Sequence, residues 1–304
     1  MRRSLISCAF IPILLIATLG WPAIAENPPS RDSYAASILK WRQEKEAALR
    51  ADDGWLALAG LFWLKEGSNR FGSDPANPIR LPAPVPAQLG DLVLNGGIIT
   101  LEPANDPRLL LNGKRASRTE LKVQPQPDVL TYRNLTFFVI HRGEKFAVRL
   151  RDTNNPARRQ FVGMKFFPID PQYRIAAKWL PSDPPKKVMV PTILGTSVEM
   201  PSPGTIEFSL QGGKFQLTPV LESPDSKELF IIFGDQTNAK STYGAGRFLY
   251  TDLPKDGKVM LDFNKAENPP CAFTAYATCP MPPKDNKLRV AIAAGEQFSG
   301  HGTH

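Results

Sequence analysis

The segment from Asp262 to Pro283, DFNKAENPPCAFTAYATCPMPP, holds two of the three cysteines of the chain, Cys271 and Cys279. Seven intervening residues let the chain fold back into a disulfide, which would stabilise the fold by about 2 to 3 kcal/mol. A closed zinc site needs four ligands, and the sequence has no second cysteine pair to supply them. We therefore expect a disulfide and no metal. Reduced packing thiols and a nucleophilic cysteine stay open as alternatives.

Polar side chains that can contact a ligand lie close to this segment, in GDQTNAKSTYGAGRF, residues 234–248. Tyr243 and Arg247 flank Gly244 and Gly246, and glycines allow a ligand or another backbone to come close. Arginine offers a planar set of donors for a carboxylate or a phosphate. The competing interpretation is that the aspartate, asparagine and threonine side chains satisfy turn backbones.

Positive charge collects around a polar joint, RDTNNPARRQF, residues 151–161. If two β units pack against each other there, Arg151 and Asp152 can share a cleft with Arg247 and Asp262. Other arginines in this region are Arg149, Arg158, Arg159 and Arg174. The predicted ligand-binding residues are Arg151, Asp152, Asp235, Thr237, Tyr243, Arg247, Asp262, Asn264 and Asn268. If the site is catalytic, the candidates for acid or base work are Asp235, Asp262 and Tyr243.

One long helix is predicted near the start of the chain, over residues 32–50. Asp32 can cap it, and Asp53-Gly54 can end it. Tyr34, Ile38, Trp41 and the stem of Lys45 repeat at helical spacing, so this side of the helix is expected to lie on the following domain.

Short apolar segments separated by Pro, Gly and Asn turns fill the rest of the chain and predict β structure. Asn95-Gly96, Asn112-Gly113 and Gly212-Gly213 are hairpin signals, because tight primed turns need positive φ. The thirty prolines argue against a helical body. The expected fold is all-β, mainly antiparallel sandwich or barrel units, with one N-terminal α-helix.

The domain organisation follows from these segments. We expect a signal peptide, an N-terminal helix region, two β subdomains and a disordered tail. Their predicted ranges are 1–25, 26–54, 55–151, 152–298 and 299–304.

Four blocks of the sequence resemble a bacterial family defined only by a domain of unknown function, number sixteen eighty-four. They are WLALAGLFWLKEGSNRFGSDPANPIRLP, LRDTNNPARRQFVGMKFFPIDPQYRI, the long stretch from GDQTNAKSTYGAGRF to PMPPKDNKL, and AIAAGE. The resemblance extends over nearly all of the chain after the signal peptide. It implies a β-rich fold and no assigned activity.

The first half is also similar, more faintly, to forkhead-associated domains, in FGSDPANPIRLP and LLLNGKRA. Those domains bind phosphothreonine with an arginine after the glycine and with a serine placed before a histidine. Here Ser73 follows Gly72, and no matching serine-histidine pair is present. The resemblance therefore implies a sandwich shape and does not extend to phosphopeptide binding.

The first residues predict export. Met1-Arg2-Arg3, an apolar run and Ala23-Ile24-Ala25 are the three parts of a secretory signal peptide, with cleavage after Ala25. Pro12 and Pro22 interrupt the apolar run, so no stable membrane insertion is expected. A periplasmic or secreted location follows.

Cleavage would lower the formal charge from +8 to +6, because residues 1–25 contain two arginines and no acid. This modest excess is spread along the chain, which disfavours nucleic acid as a partner. The expected function is binding of a small polar or anionic ligand in a cleft between the β subdomains, with no cofactor. The alternatives are a hydrolase that uses carboxylates of the same cleft and a structural or protein-interaction module.

Overall fold

A computed structural model describes residues 30–298 and residue 300. The predicted signal peptide therefore lies outside the described residues, as does the predicted tail apart from Gly300. None of the described helices is long and apolar enough to cross a membrane.

The predicted N-terminal helix is confirmed as α1, Arg31–Arg50. Its N-cap is Ser30 and not Asp32, because the Ser30 side chain accepts a hydrogen bond from the N–H of Ser33. The helix buries Tyr34 and Ile38 against the body of the protein, and Ile38 is completely enclosed. A second, short helix, α2, covers Pro156–Gln160.

The first half of the chain forms eleven strands in two sheets, of six and five strands. The strands are β1 Leu58–Trp63, β2 Gly67–Gly72, β3 Ile79–Arg80, β4 Gly90–Asn95, β5 Ile98–Pro103, β6 Leu110–Leu111, β7 Lys114–Arg115, β8 Thr119–Glu120, β9 Val129–Tyr132, β10 Leu135–Arg142 and β11 Lys145–Asp152. The sheet orders are β1-β11-β10-β9-β6-β7 and β3-β2-β4-β5-β8. One apolar core joins side chains of both sheets.

The predicted hairpin turns lie where strands reverse. Asn112 and Gly113, with φ of 50° and 78°, connect β6 to β7, as their sequence predicts. At the predicted turn Asn95-Gly96, the positive φ values fall one residue later, on Gly96 and Gly97, between β4 and β5. Positive φ is costly for most residues, so these turns fix the strand register.

The second half adds eight strands. They are β12 Lys165–Phe166, β13 Arg174–Pro191, β14 Ser197–Leu210, β15 Gly213–Leu217, β16 Glu228–Phe233, β17 Arg247–Asp252, β18 Lys258–Asp262 and β19 Glu296–Gln297. Their sheet orders are β15-β14-β13-β18, β16-β17 and β12-β19, all antiparallel. The all-β fold with one N-terminal helix is confirmed, while the division at residues 151 and 152 stays a prediction.

Strand alternation in β11 determines which side chains leave the first core. Phe146, Val148 and Leu150 pack into that core. Successive strand residues point to opposite faces, so Arg149 and Arg151 project from the other face of the sheet.

Candidate functional site

Asp235 and Arg247, two of the predicted ligand-binding residues, form a buried ion pair. Arg247 Nη2 lies 2.6 Å from Asp235 Oδ2, and both side chains are fully buried. Arg247 also donates to the carbonyls of Ala294 and Ile292, at 2.6 and 2.9 Å. Asp235 Oδ1 accepts from Thr237 N, Thr237 Oγ1 and Ile292 N. These contacts cross-link the second half of the chain, and the predicted ligand-binding role of Asp235 and Arg247 stays a prediction.

Asp262 and Asn264 anchor helix α1. Tyr34 Oη donates to Asp262 Oδ1 at 2.8 Å, and Asn264 Nδ2 donates to Tyr34 Oη at 2.9 Å. Asn264 Nδ2 also donates to the Asp170 carbonyl at 2.8 Å. Burial and the Asp262 charge raise the pKa of Tyr34. The Asp262 carboxylate therefore holds α1 through Oδ1, and its predicted role as a general base stays a prediction.

Thr237, Tyr243 and Asn268 organise the loops around this region. Thr237 Oγ1 lies 2.9 Å from Thr242 Oγ1. Asn268 Oδ1 accepts from the Tyr243 N–H at 3.4 Å, and its Nδ2 donates to the Gln297 carbonyl at 3.1 Å. Burial first, and then the cysteines, raise the pKa of Tyr243 to about 12. For these residues the structure favours the turn-backbone interpretation over the ligand-binding one.

Arg151 and Asp152 do not share a cleft with Arg247 and Asp262. Asp152 Oδ1 accepts from Asn134 Nδ2 and Asn154 N, at 2.6 and 2.7 Å, so it stabilises a turn. Arg151 lies with its guanidinium 5.1 Å from the centre of the Phe138 ring. Arg247 and Asp262 make their hydrogen bonds within the second half of the chain and to α1, and no described contact joins them to Arg151 or Asp152, so the shared cleft stays a prediction.

A different cavity, of about 710 Å³, lies between α1, the outer face of the six-stranded sheet and the second half of the chain. We call it the large cavity. Its charged and aromatic lining consists of Trp41, Lys45, Trp55, Arg142, Arg149, Glu222, Glu228, Phe230, Phe248, Tyr250, Lys265 and Glu267. Cys279 and Thr278 of the cysteine segment also line it.

Arg149 is the most unusual residue of the large cavity. It is 7% exposed, yet it makes no ion pair with any described residue, and its Nε has no hydrogen-bond partner there. Its guanidinium lies 5.4 Å from the centre of the Trp55 ring. Burial lowers the pKa of Arg149 to about 10, and the charges of Arg142 and Arg151 add to this shift. Arginine still carries its charge at neutral pH, so the cavity contains a poorly compensated buried cation.

Arg142 lies at the end of β10, on the same side of the cavity. Its Nε donates to Thr278 Oγ1 at 3.1 Å, and its Nη1 donates to the His141 carbonyl at 2.8 Å. Like Arg149, it has no carboxylate partner among residues 30–298.

Glutamates and aromatic rings form the opposite wall. The Tyr250 ring stacks on Phe230 at 4.7 Å between centroids, with 11° between the planes. Burial, together with the charges of Glu222, Glu267 and Glu228, raises the pKa of Tyr250. Partial burial and the neighbouring Glu228 also raise the pKa of Glu222.

A smaller cavity of about 410 Å³ lies on the other side of an ion pair between Lys45 and Glu267. Lys45 Nζ is 2.6 Å from Glu267 Oε2, and both residues line both cavities. Glu296 lines this small cavity and is 2% exposed. Burial raises the pKa of Glu296 to about 8, although its Oε2 accepts a hydrogen bond from Asn268 N at 2.8 Å.

Cys271 and Cys279 are both buried, and their side chains lie close to each other. The Cys271 N–H donates to Cys279 Sγ at 3.2 Å. A hydrogen bond between the two side chains is the main cause that lowers the pKa of Cys271, and the positive charge of Arg149 lowers it further. The same hydrogen bond raises the pKa of Cys279. The disulfide stays a prediction. In the described part of the chain, no three His, Cys, Asp or Glu side chains are grouped to hold a metal ion.

Sequence reasoning missed most of the large cavity. Glu222, Glu228, Tyr250 and Glu267 were not predicted as site residues, and Arg149 was named only as one charge near the joint. The available signal was the position of Arg149 in FAVRLRD, where a charged residue alternates with core residues in a strand.

Residues 159–297 match the model of a family described as protein of unknown function (DUF1684). A similar solved structure is the solution NMR structure of an uncharacterized protein from gene locus rrnAC0354 of Haloarcula marismortui. The two chains are 31% identical over 47% of this chain and 80% of that one, with a TM-score of 0.39. A search of curated proteins found no match. The chain belongs to the DUF1684 family.

Within this family assignment, the matched region is shorter than the resemblance predicted from the sequence. Glu222, Glu228, Tyr250 and Glu267 fall inside residues 159–297. Arg149 and the other lining residues from α1 and the first sheets lie before it. The resemblance of the first half to forkhead-associated domains stays a prediction.

Proposed function

We propose that the protein binds a small anionic molecule in the large cavity, with Arg149 as the anchor. The observation that carries this proposal is the burial of the Arg149 guanidinium without an ion-pair partner among the described residues. Moving a cation out of water costs several kcal/mol unless charge and hydrogen bonds compensate it. A carboxylate or phosphate group of a ligand supplies both, because it accepts parallel hydrogen bonds from guanidinium nitrogens.

The other properties of the cavity support a small organic ligand. Its volume of about 710 Å³ falls within the range that small-molecule sites occupy. Trp41 and Trp55 offer apolar surface near the cations. Arg142 adds a second positive group, and its contact with Thr278 holds it near the cysteine segment.

Binding can be tested by thermal unfolding of the whole protein with inorganic phosphate, acetate and 4-methylbenzoate as probes. A ligand that binds only the folded state raises the melting temperature by mass action. We expect at least one probe to do so for the wild type and for the exposed-arginine control Arg80→Gln, and not for Arg149→Gln. Equal shifts in wild type and Arg149→Gln would contradict the proposal.

A second candidate function is hydrolysis, with the carboxyls of the small cavity in place of Asp235 and Asp262. The observation that favours it is the pKa of about 8 for the buried Glu296, which lines the same cavity as Glu267, the partner of Lys45. A carboxyl that stays protonated at neutral pH can act as a general acid. Turnover of generic ester, glycoside or phosphate substrates, lost in Glu296→Gln and kept in Glu144→Gln, would support a hydrolase. Absence of turnover with all three substrate classes would count against it.

We place this function in the periplasm or outside the cell, on the basis of the signal-peptide pattern in residues 1–25. The intact mass of the protein recovered from culture medium or periplasm should correspond to a chain that begins at Glu26. Recovery of the full-length chain from the cytoplasm alone would contradict this placement.

A further inference from the structure

The charges of the large cavity are separated onto two walls. Arg142 and Arg149 come from two neighbouring strands of the six-stranded sheet, Arg142 from the end of β10 and Arg149 from β11. Glu228 is the first residue of β16, and Glu222 lies in the segment before it. All four line the same cavity, yet in the described residues no N···O distance of 4 Å or less joins the arginines to the glutamates.

Of these four charged residues only Arg149 is buried, whereas Arg142, Glu222 and Glu228 are exposed at the cavity. An unpaired charge is costly where water is excluded, so Arg149 is the charge that needs a counter-ion. Lys45 neutralises Glu267 alone, at 2.6 Å. Lys265 also lines the cavity and has no ion pair within the described chain. Glu222 and Glu228 thus line the cavity without an ion pair, as do Arg142, Arg149 and Lys265, in the described residues.

Aromatic surface lies near both walls. Trp55 lies beneath the Arg149 guanidinium, and Tyr250 lies within the field of Glu222 and Glu228, stacked on Phe230. A flat apolar body fits such surroundings, since aromatic faces stack at low entropic cost.

Resting on the proposed function, we infer that the ligand is zwitterionic. Its anionic group binds Arg149, its cationic group binds Glu222 and Glu228, and a planar apolar body lies between them. Two independent observations point to the same occupant. They are the nine-tenths-buried Arg149 with no ion-pair partner among the described residues, and the two exposed carboxylates, Glu222 and Glu228, that line the same cavity and make no ion pair there.

The test compares two probes of nearly equal shape by calorimetric titration of the whole protein. One is 4-(aminomethyl)benzoate, which carries a charge at each end of its ring, and the other is 4-methylbenzoate, which lacks the amine. We expect the zwitterion to bind at least tenfold more tightly to the wild type. In the double variant Glu222→Gln, Glu228→Gln, we expect this advantage to disappear while the affinity for 4-methylbenzoate stays within twofold.

The possible results separate this inference from the proposed function. Equal affinity of the wild type for both probes overturns the zwitterionic ligand and leaves anion binding intact. A tenfold advantage that persists in the double variant overturns the role of the two glutamates. Binding of neither probe to the wild type overturns the zwitterionic ligand, and it overturns the proposed function as well if phosphate and acetate also leave the melting temperature unchanged. The variant Glu144→Gln, on an exposed turn, controls for a general loss of negative charge.

Discussion

Two buried arginines, Arg247 and Arg149, show how differently this protein treats the same functional group. Arg247 is completely buried and gives its terminal nitrogens to Asp235 and to two carbonyls. Arg149 is almost as deeply buried, yet it has no such partners among the described residues and lies beside a cavity. Nε is unpaired in both, so the difference lies at the terminal nitrogens. Burial alone therefore does not distinguish a structural arginine from a binding one, whereas the acceptors around the guanidinium do.

The largest loss of stability is expected when Arg247 loses its carboxylate partner, Asp235. Asp235→Ala would leave the Arg247 cation buried without its carboxylate and should lower the free energy of unfolding by about 3 to 5 kcal/mol. Urea denaturation measures the loss, with the exposed Asp225→Ala as the control. A loss below about 1 kcal/mol would mean that the Arg247 carbonyl contacts suffice, and the contrast between the two arginines would weaken.

Glu296 extends the comparison to a buried acid. Its pKa is raised to about 8 from the ordinary 4.5, so the folded state holds the proton where the unfolded state has released it. Tighter proton binding by the folded state stabilises it relative to the unfolded state. This stabilisation is complete below about pH 4.5 and is lost as pH rises through about 8, at up to about 1.4 kcal/mol per pH unit.

Denaturation at pH 5 to 8 should therefore show that the wild type loses stability relative to Glu296→Gln as pH rises. A total loss of about 3 kcal/mol is expected over this range, less than the limiting slope would give because the folded state already releases part of the proton near pH 8. The unfolding free energy of the exposed control variant Glu144→Gln should change with pH in the same way as that of the wild type. A constant difference between Glu296→Gln and the wild type at every pH would contradict the raised pKa.

The sequence contained enough information for the fold but not for the site, and the two arginines show why. Helix α1 and the hairpin turns depend on local spacing and on φ preferences, which a short window of residues reveals. The partners of Arg247 are Asp235, twelve positions away, and the backbone of residues 292–294. Backbone acceptors leave no mark in the sequence, so Arg247 resembled a ligand-binding residue.

The large cavity was hidden for a related reason. Arg149, Tyr250 and Glu267 are far apart along the chain and meet only because α1 and the two halves pack together. Its acids, Glu222 and Glu228, border an ordinary apolar strand and look like solvated charges. What the sequence did indicate was the importance of the cysteine segment, which lines this cavity through Thr278 and Cys279.

A substitution of Tyr34 tests whether its hydrogen bonds with Asp262 and Asn264 stabilise the fold, as the contacts of Arg247 are expected to do. Tyr34→Phe removes one hydroxyl that donates to Asp262 and accepts from Asn264, at 2.8 and 2.9 Å. We expect a loss of about 1 to 2 kcal/mol, because Asp262 stays buried with one donor fewer. Tyr276→Phe, at an exposed tyrosine, is the matched control. An equal effect in both variants would show that the network does not hold α1 in place.

The smallest change in stability is expected at Arg149, and there a substitution should stabilise the protein instead of destabilising it. Arg149→Met keeps most of the apolar stem and removes a buried charge that the described residues do not compensate. The free energy of unfolding without ligand should stay the same or rise by up to about 1 kcal/mol, as when methionine replaces a poorly compensated ion. The exposed Arg80→Met is the control. A loss above about 2 kcal/mol would mean that Arg149 stabilises the fold as Arg247 does, and the argument for an anionic ligand would lose its basis. An unchanged or raised stability, together with lost probe binding, would show that the guanidinium is kept buried for a ligand.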